Sequence, residues 1–295
     1  TGSMLLSLLP VSALAATPVF DAPAQTTAKK AAPLVQEADA SRSTEEEAAT
    51  RSSRDLDAEN GTADSITIQL NAEGKPESEG DSEHWAYDYA TSFSLNLRQG
   101  TFTLQPSSES GAESALQTDL DIRKDAEFNS GTVGRRAYNE GTISDGTFQR
   151  EVYNYGTISN GTFQWEVTNE GTISGGIFQR RVYNYEIISD GTFQGNVRNY
   201  GTISGGTFEE AVGVYASSRT EAKIEGGTFE KDMTLANDDA PITIKDGLFD
   251  GEVVTKKCDS PLSISGGLFT KAVDVSNITN LPNLQITGGY FVNEP

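Results

Sequence analysis

The sequence predicts an all-β chain wound as a parallel β-helix, or β-solenoid, and three observations carry that expectation. Five stretches beginning at Gly141, Gly156, Gly171, Glu186 and Gly201 repeat nearly the same words at a spacing of fifteen residues. Within each stretch the apolar side chains are few and alternate with polar ones, as in Thr157-Ile158-Ser159 and Thr162-Phe163-Gln164, which is the period-two pattern of half-buried strands. Gly156, Asn160 and Gly161 stand at the breaks, where corners need backbone angles that most residues resist. A period this short makes each copy one rung of a stack and not a domain. A right-handed course is expected.

One rung reads as up to three very short strands joined by tight corners. It has too few apolar side chains to offset the entropy of ordering fifteen residues, so it cannot fold alone. Stacking at one strand width, about 4.8 Å, pairs each strand with those above and below. Ile143, Ile158, Ile173, Ile188 and Ile203 then form one internal column, and Phe148, Phe163, Phe178, Phe193 and Phe208 another. Asn139, Asn154, Asn169, Asn184 and Asn199 form a third. Stacked amides can hydrogen-bond along the axis and satisfy corner backbone groups, so these asparagines are expected to be structural.

After Phe208 the rungs lengthen to twenty to twenty-two residues, with Gly-x-Phe words at Phe229, Phe249, Phe269 and Phe291 and an isoleucine five residues before each: Ile224, Ile244, Ile264 and Ile286. The extra residues are expected in loops at Tyr215–Thr220, Ala236–Pro241 and Lys256–Pro261. Upstream, Gly131-Thr132-Val133 keeps the register, and Ser92–Leu97 and Thr101–Leu104 alternate as strands. The expected organisation is a partial signal peptide over 1–16, an acidic low-complexity linker over 17–63, irregular first rungs or a cap over 64–130, compact rungs over 131–214 and longer rungs over 215–295.

The opening run ends in the small-x-small pattern Ala13-Leu14-Ala15, the back half of a secretory signal peptide. A secreted or cell-surface location follows as an expectation. The net charge of −21 disfavours nucleic acid and acidic lipid as partners. One cysteine, Cys258, excludes an internal disulfide framework and reads as a small apolar filler. The single histidine, His84, has no second His or Cys to complete a metal site or nucleophilic triad. No cofactor, metal or membrane insertion is expected. Carboxylate pairs could serve a polysaccharide-cutting enzyme, and Asp238-Asp239 is the adjacent pair in the long-rung loops. Corner acids such as Asp145 and Asp190 alternate with Asn160, Gly175 and Gly205, which is turn chemistry.

The outer face is more informative. Tyr153, Thr168, Tyr183 and Arg198 form one outward column; Tyr155, Glu170, Tyr185 and Tyr200 a second; Arg150, Trp165 and Arg180 a third. Exposed aromatic and arginine columns can stack on sugar rings or dock a protein; the competing reading is cross-strand stabilisation of an open sheet. The hydroxyls of Thr157, Ser159 and their equivalents make a further ladder of the kind that orders water in ice-binding solenoids, although Glu186-Ile187 interrupts it.

The words I-S-G-G-T-F and the terminal Ile286-Thr287-Gly288-Gly289-Tyr290-Phe291-Val292-Asn293-Glu294-Pro295 resemble the G-G-x-F repeat regions of secreted or surface proteins from Gram-positive gut bacteria. The resemblance spans roughly 131–295. It implies a β-helical stalk or adhesin-like module and brings no catalytic motif. The sequence thus points to an exported repeat protein that contacts an extracellular glycan or a host or bacterial surface protein through repeated side chains. A polysaccharide-active enzyme is the alternative and an ice-binding solenoid a lesser one. An open solenoid end is an unpaired sheet edge, so end-to-end self-association is a further expectation.

Overall fold

The computed structural model describes residues 64–87, 94–106, 115–217, 220–278 and 280–292. The expected signal-peptide run and acidic linker lie outside the described residues. The described chain is a β-solenoid: its strands form one continuous sheet in which each rung pairs in parallel with the next. No α-helix occurs among the described residues, and a single 3-10 turn spans Leu281–Asn283. No helix among them is long and apolar enough to cross a membrane.

A compact rung has three faces. The first is the strand Val152–Asn154, the second Thr157–Ile158 and the third Thr162–Phe163, each with its inward side chain buried. Registers repeat without slippage through most of this region: Val152 pairs with Val167, Ile158 with Ile173 and Phe163 with Phe178. In two rungs the second and third faces run together as seven-residue strands, Thr172–Phe178 and Ile187–Phe193, with a register irregularity between them. The corner glycines, Gly146 through Gly289 at the same rung position, all hold positive φ, which costs L-residues with a Cβ about 1–2 kcal/mol each.

The core is a set of ladders. From Phe148 to Phe291 the phenylalanines form one stack, with ring centroids 4.5–5.0 Å apart and planes within 10° of parallel. Each ring covers its neighbour's face at the strand spacing. The Asn139–Asn199 column is buried. Each Nδ2 donates to the next Oδ1 at 2.6–2.7 Å. From Asn154 onward it also donates to the carbonyl two residues on, as from Asn169 to Gly171. The amide ladder begins above Ile122 and stops beneath Val214.

In the longer rungs the added residues do more than loop out. They extend the first face from three residues to five, as in Val212–Ala216 and Met233–Asn237, and Tyr215 pairs with Ala236. The alternation Val212, Val214, Ala216 continues inward, so lengthening the strand buries more side chains than a loop would. At the other end the regular winding gives way to a cap. Ser65–Leu70 pairs with Thr101–Pro106 in parallel, whereas Trp85–Ala86 crosses Asn96–Leu97 antiparallel. Trp85 and Tyr87 are buried there. His84 sits in this cap, where its carbonyl accepts the Arg98 and Gln99 amides and its Nδ1 lies 2.7 Å from Asp81 Oδ2.

Candidate functional site

Because rungs repeat in register, each outward column rises along the solenoid, and the ring faces turn toward the neighbouring rungs. On the first face, Tyr153 pairs with Thr168, Thr168 with Tyr183 and Tyr183 with Arg198. Tyr153 stacks on Tyr138 with centroids 5.2 Å apart. Tyr183 is flanked by the guanidiniums of Arg181 and Arg198, at 5.8 and 5.7 Å from its ring. At the following corner, Tyr185 stacks on Tyr200 at 5.0 Å and Tyr200 on Tyr215 at 5.3 Å. Tyr155, with Glu170 fifteen residues on, is half exposed. Burial, together with the neighbouring Tyr185, pushes the Tyr200 hydroxyl above its usual value.

The third column lies on the corner between the third and first faces. Arg150, Trp165 and Arg180 occupy successive rungs, and the two guanidiniums lie 5.8 and 5.9 Å from the indole centroid. Both distances are in the range of cation–π attraction. Arg135 stands one rung before Arg150 in the same column. Beside it runs a column of Arg136, Glu151, Glu166 and Arg181 that neutralises itself through Arg136–Glu151 at 4.0 Å and Arg181–Glu166 at 3.7 Å. Two grooves open along this corner, of about 750 and 410 Å³, and Trp165 lines both.

This geometry changes what the columns can do. The expectation of sugar rings laid on free aromatic faces does not suit Tyr185, Tyr200 or Trp165, because neighbouring rungs already lie against their faces. Ring edges, phenol hydroxyls and guanidinium donors are what they present outward. Tyr138, Tyr215, Arg135 and Arg181 escaped the sequence reading. Tyr138, Tyr215 and Arg135 stand fifteen residues from a chosen residue, so the repeat itself was the available signal.

The other candidates are spread apart. Asp238 is exposed and bonded to Lys257 Nζ at 2.5 Å. Cys258 is buried, with its Sγ toward Leu235 O, and burial pushes its thiol up. The serines of the second face donate back to the previous rung, as Ser159 does to Ile143 O and Ser174 to Ile158 O, so these hydroxyls already serve the backbone. No group of three or more His, Cys, Asp or Glu side chains is arranged to hold a metal among the described residues. Comparison with protein-family models, curated proteins and solved structures finds no match to this chain.

Proposed function

We propose that the protein is an exported structural repeat protein, a surface stalk that also serves as an adhesin-like binding module. Its fold is a structural repeat solenoid, in which ladders of buried amides and stacked rings hold the outward side chains at fixed intervals. The observation that carries the reading is this regularity: Tyr and Arg side chains recur in outward columns on several rungs, with Trp165 between two arginines, which favours several weak contacts acting together over one reactive centre. The partner under this reading is an extracellular glycan or surface protein.

The test is retention of the full chain on arrays of glycans and surface proteins, with the retained glycans assayed for shortened products. Retention without cleavage is expected. Replacing Tyr155 and Tyr185 with alanine together should lower retention while leaving the circular-dichroism spectrum unchanged. Shortened products would move the protein to the polysaccharide-active class, and an array with no retained member would remove the binding role.

A further inference from the structure

The corner that carries Trp165 differs from the rest of this acidic molecule. Its outermost column runs Thr118, Arg135, Arg150, Trp165 and Arg180, with Leu116 paired to Val133 and Leu120 to Ala137 fixing Thr118 beneath Arg135. None of these three arginines forms an ion pair among the described residues, unlike Arg136 and Arg181 in the adjacent column. All three are exposed. Three guanidiniums without an ion-pair partner along one edge make a local cationic strip on a chain with net charge −21, and their donors are open to an anionic ligand. Thr118, at the foot of the larger groove, is buried, and its Oγ1 has no hydrogen-bond partner.

Resting on the binding reading above, we propose that this corner is the site for a carboxylate-bearing polysaccharide, which lies along the column. The strand register sets Arg150 and Arg180 two rungs, about 9.6 Å, apart, and Trp165 between them holds both guanidiniums against its ring. Their outward N–H forks suit bidentate carboxylate contacts. The second groove holds Gln179, Gln194 and Asn196 beside Glu210 and the Arg181-paired Glu166, and its amides can both donate to and accept from sugar hydroxyls. An acidic peptide fits less well, because strand addition needs an open sheet edge and the strands flanking Arg150 and Trp165 are paired above and below. Single-stranded nucleic acid needs free aromatic faces for its bases, and the faces of Trp165 are taken.

The experiment compares binding of the full chain to polygalacturonate and to the same polymer methyl-esterified, which keeps the sugars and removes the charge. Polyglutamate and oligothymidylate serve as the other polyanions. Polygalacturonate is expected to bind best, with affinity falling as salt rises, and the esterified polymer at least tenfold more weakly. Replacing Arg135, Arg150 and Arg180 with glutamine should cost at least tenfold. Replacing Lys223, Lys245 and Lys256 with glutamine makes the same charge change elsewhere and should cost less than twofold. Equal binding of the esterified polymer would overturn the anionic site while leaving a glycan-binding module standing. Equal losses in the two triple variants, or stronger binding of polyglutamate or oligothymidylate, would overturn it as well.

Discussion

Asn139 donates its side-chain amide to Asn154 Oδ1 at 2.6 Å, while its own Oδ1 is buried without a donor. The amide ladder therefore has a polarity. Every carbonyl points toward the rung before it, and the lowest one meets Ile122 instead of another amide.

That polarity ranks the asparagines. Replacing Asn169 with leucine strips the donor from Asn184 Oδ1, while the Gly171 carbonyl keeps the Ile187 amide; leaving such an oxygen buried and unpaired costs about 1–3 kcal/mol. A loss of about 1–3 kcal/mol is expected. Replacing Asn139 with leucine also orphans Asn154 Oδ1 but removes an acceptor that was already unsatisfied, so about 1 kcal/mol or less is expected. Urea denaturation compares the two, and amide exchange through 154–199 shows whether the loss stays within neighbouring rungs. An equal cost for both variants would contradict the polarity.

The corner glycines should be equally discriminating. Gly176 has a φ of 106°, and a Cβ there would stand 3.1 Å from Gly161 O and 3.2 Å from the Phe163 ring. Gly176→Ala is expected to cost about 1–3 kcal/mol through backbone strain, read as a lowered urea midpoint. Gln179→Ala, at an exposed position in the same rung, should cost about 0.5 kcal/mol or less.

The cap should respond to pH on both sides. The hydrogen bond that the His84 ring donates to the Asp81 carboxylate raises the His84 pKa, opposed by slight desolvation. For Asp81, desolvation pushes the carboxyl up, but hydrogen bonds from the His84 backbone and ring and the Trp85 amide outweigh it and hold the value low. The His84 contribution is thus fully present below its unfolded value, about 6.5, and is lost as pH rises through the raised folded value. The Asp81 contribution is present above its unfolded value, about 3.9, and is lost as pH falls through the depressed one. Protection of the Arg98 amide, which bonds to His84 O at 2.7 Å, should be greatest between these limits once intrinsic exchange is corrected. Asp81→Asn should flatten the profile, and a wild-type profile flat from pH 5 to 8 would refute the pairing.

The periodic part of the fold was legible because the residues that make it are nearly identical words. Phe148 and Phe163 fall into one stack as their spacing requires, and Val133 pairs with Phe148 as the upstream register predicts. The cap was not legible, because Trp85 crosses Leu97 antiparallel and occurs once, so no repeat marks its partner. The extended first face at Tyr215 was read as a loop because an insertion marks where a period changes but not how far the strand continues. At the corner, Arg150, Trp165 and Arg180 could be placed in one column from spacing alone. Arg135 falls in that column too, but Thr118 does not keep the fifteen-residue step, since Leu120 to Ala137 spans seventeen residues. Which surface of a ring turns outward depends on side-chain torsions, which the order of residues does not state.

The phenylalanine stack has one more consequence. Each ring offers the same surface upward as it receives from below, so a compact rung is interchangeable with its neighbours. Removing residues 156–170 as a unit would join Tyr155 to Gly171 and bring Phe148 beneath Phe178 with every other column still aligned. The molecule is in that sense a ruler graduated in single strands, and its reach can be reset in whole divisions while both ends stay as they are.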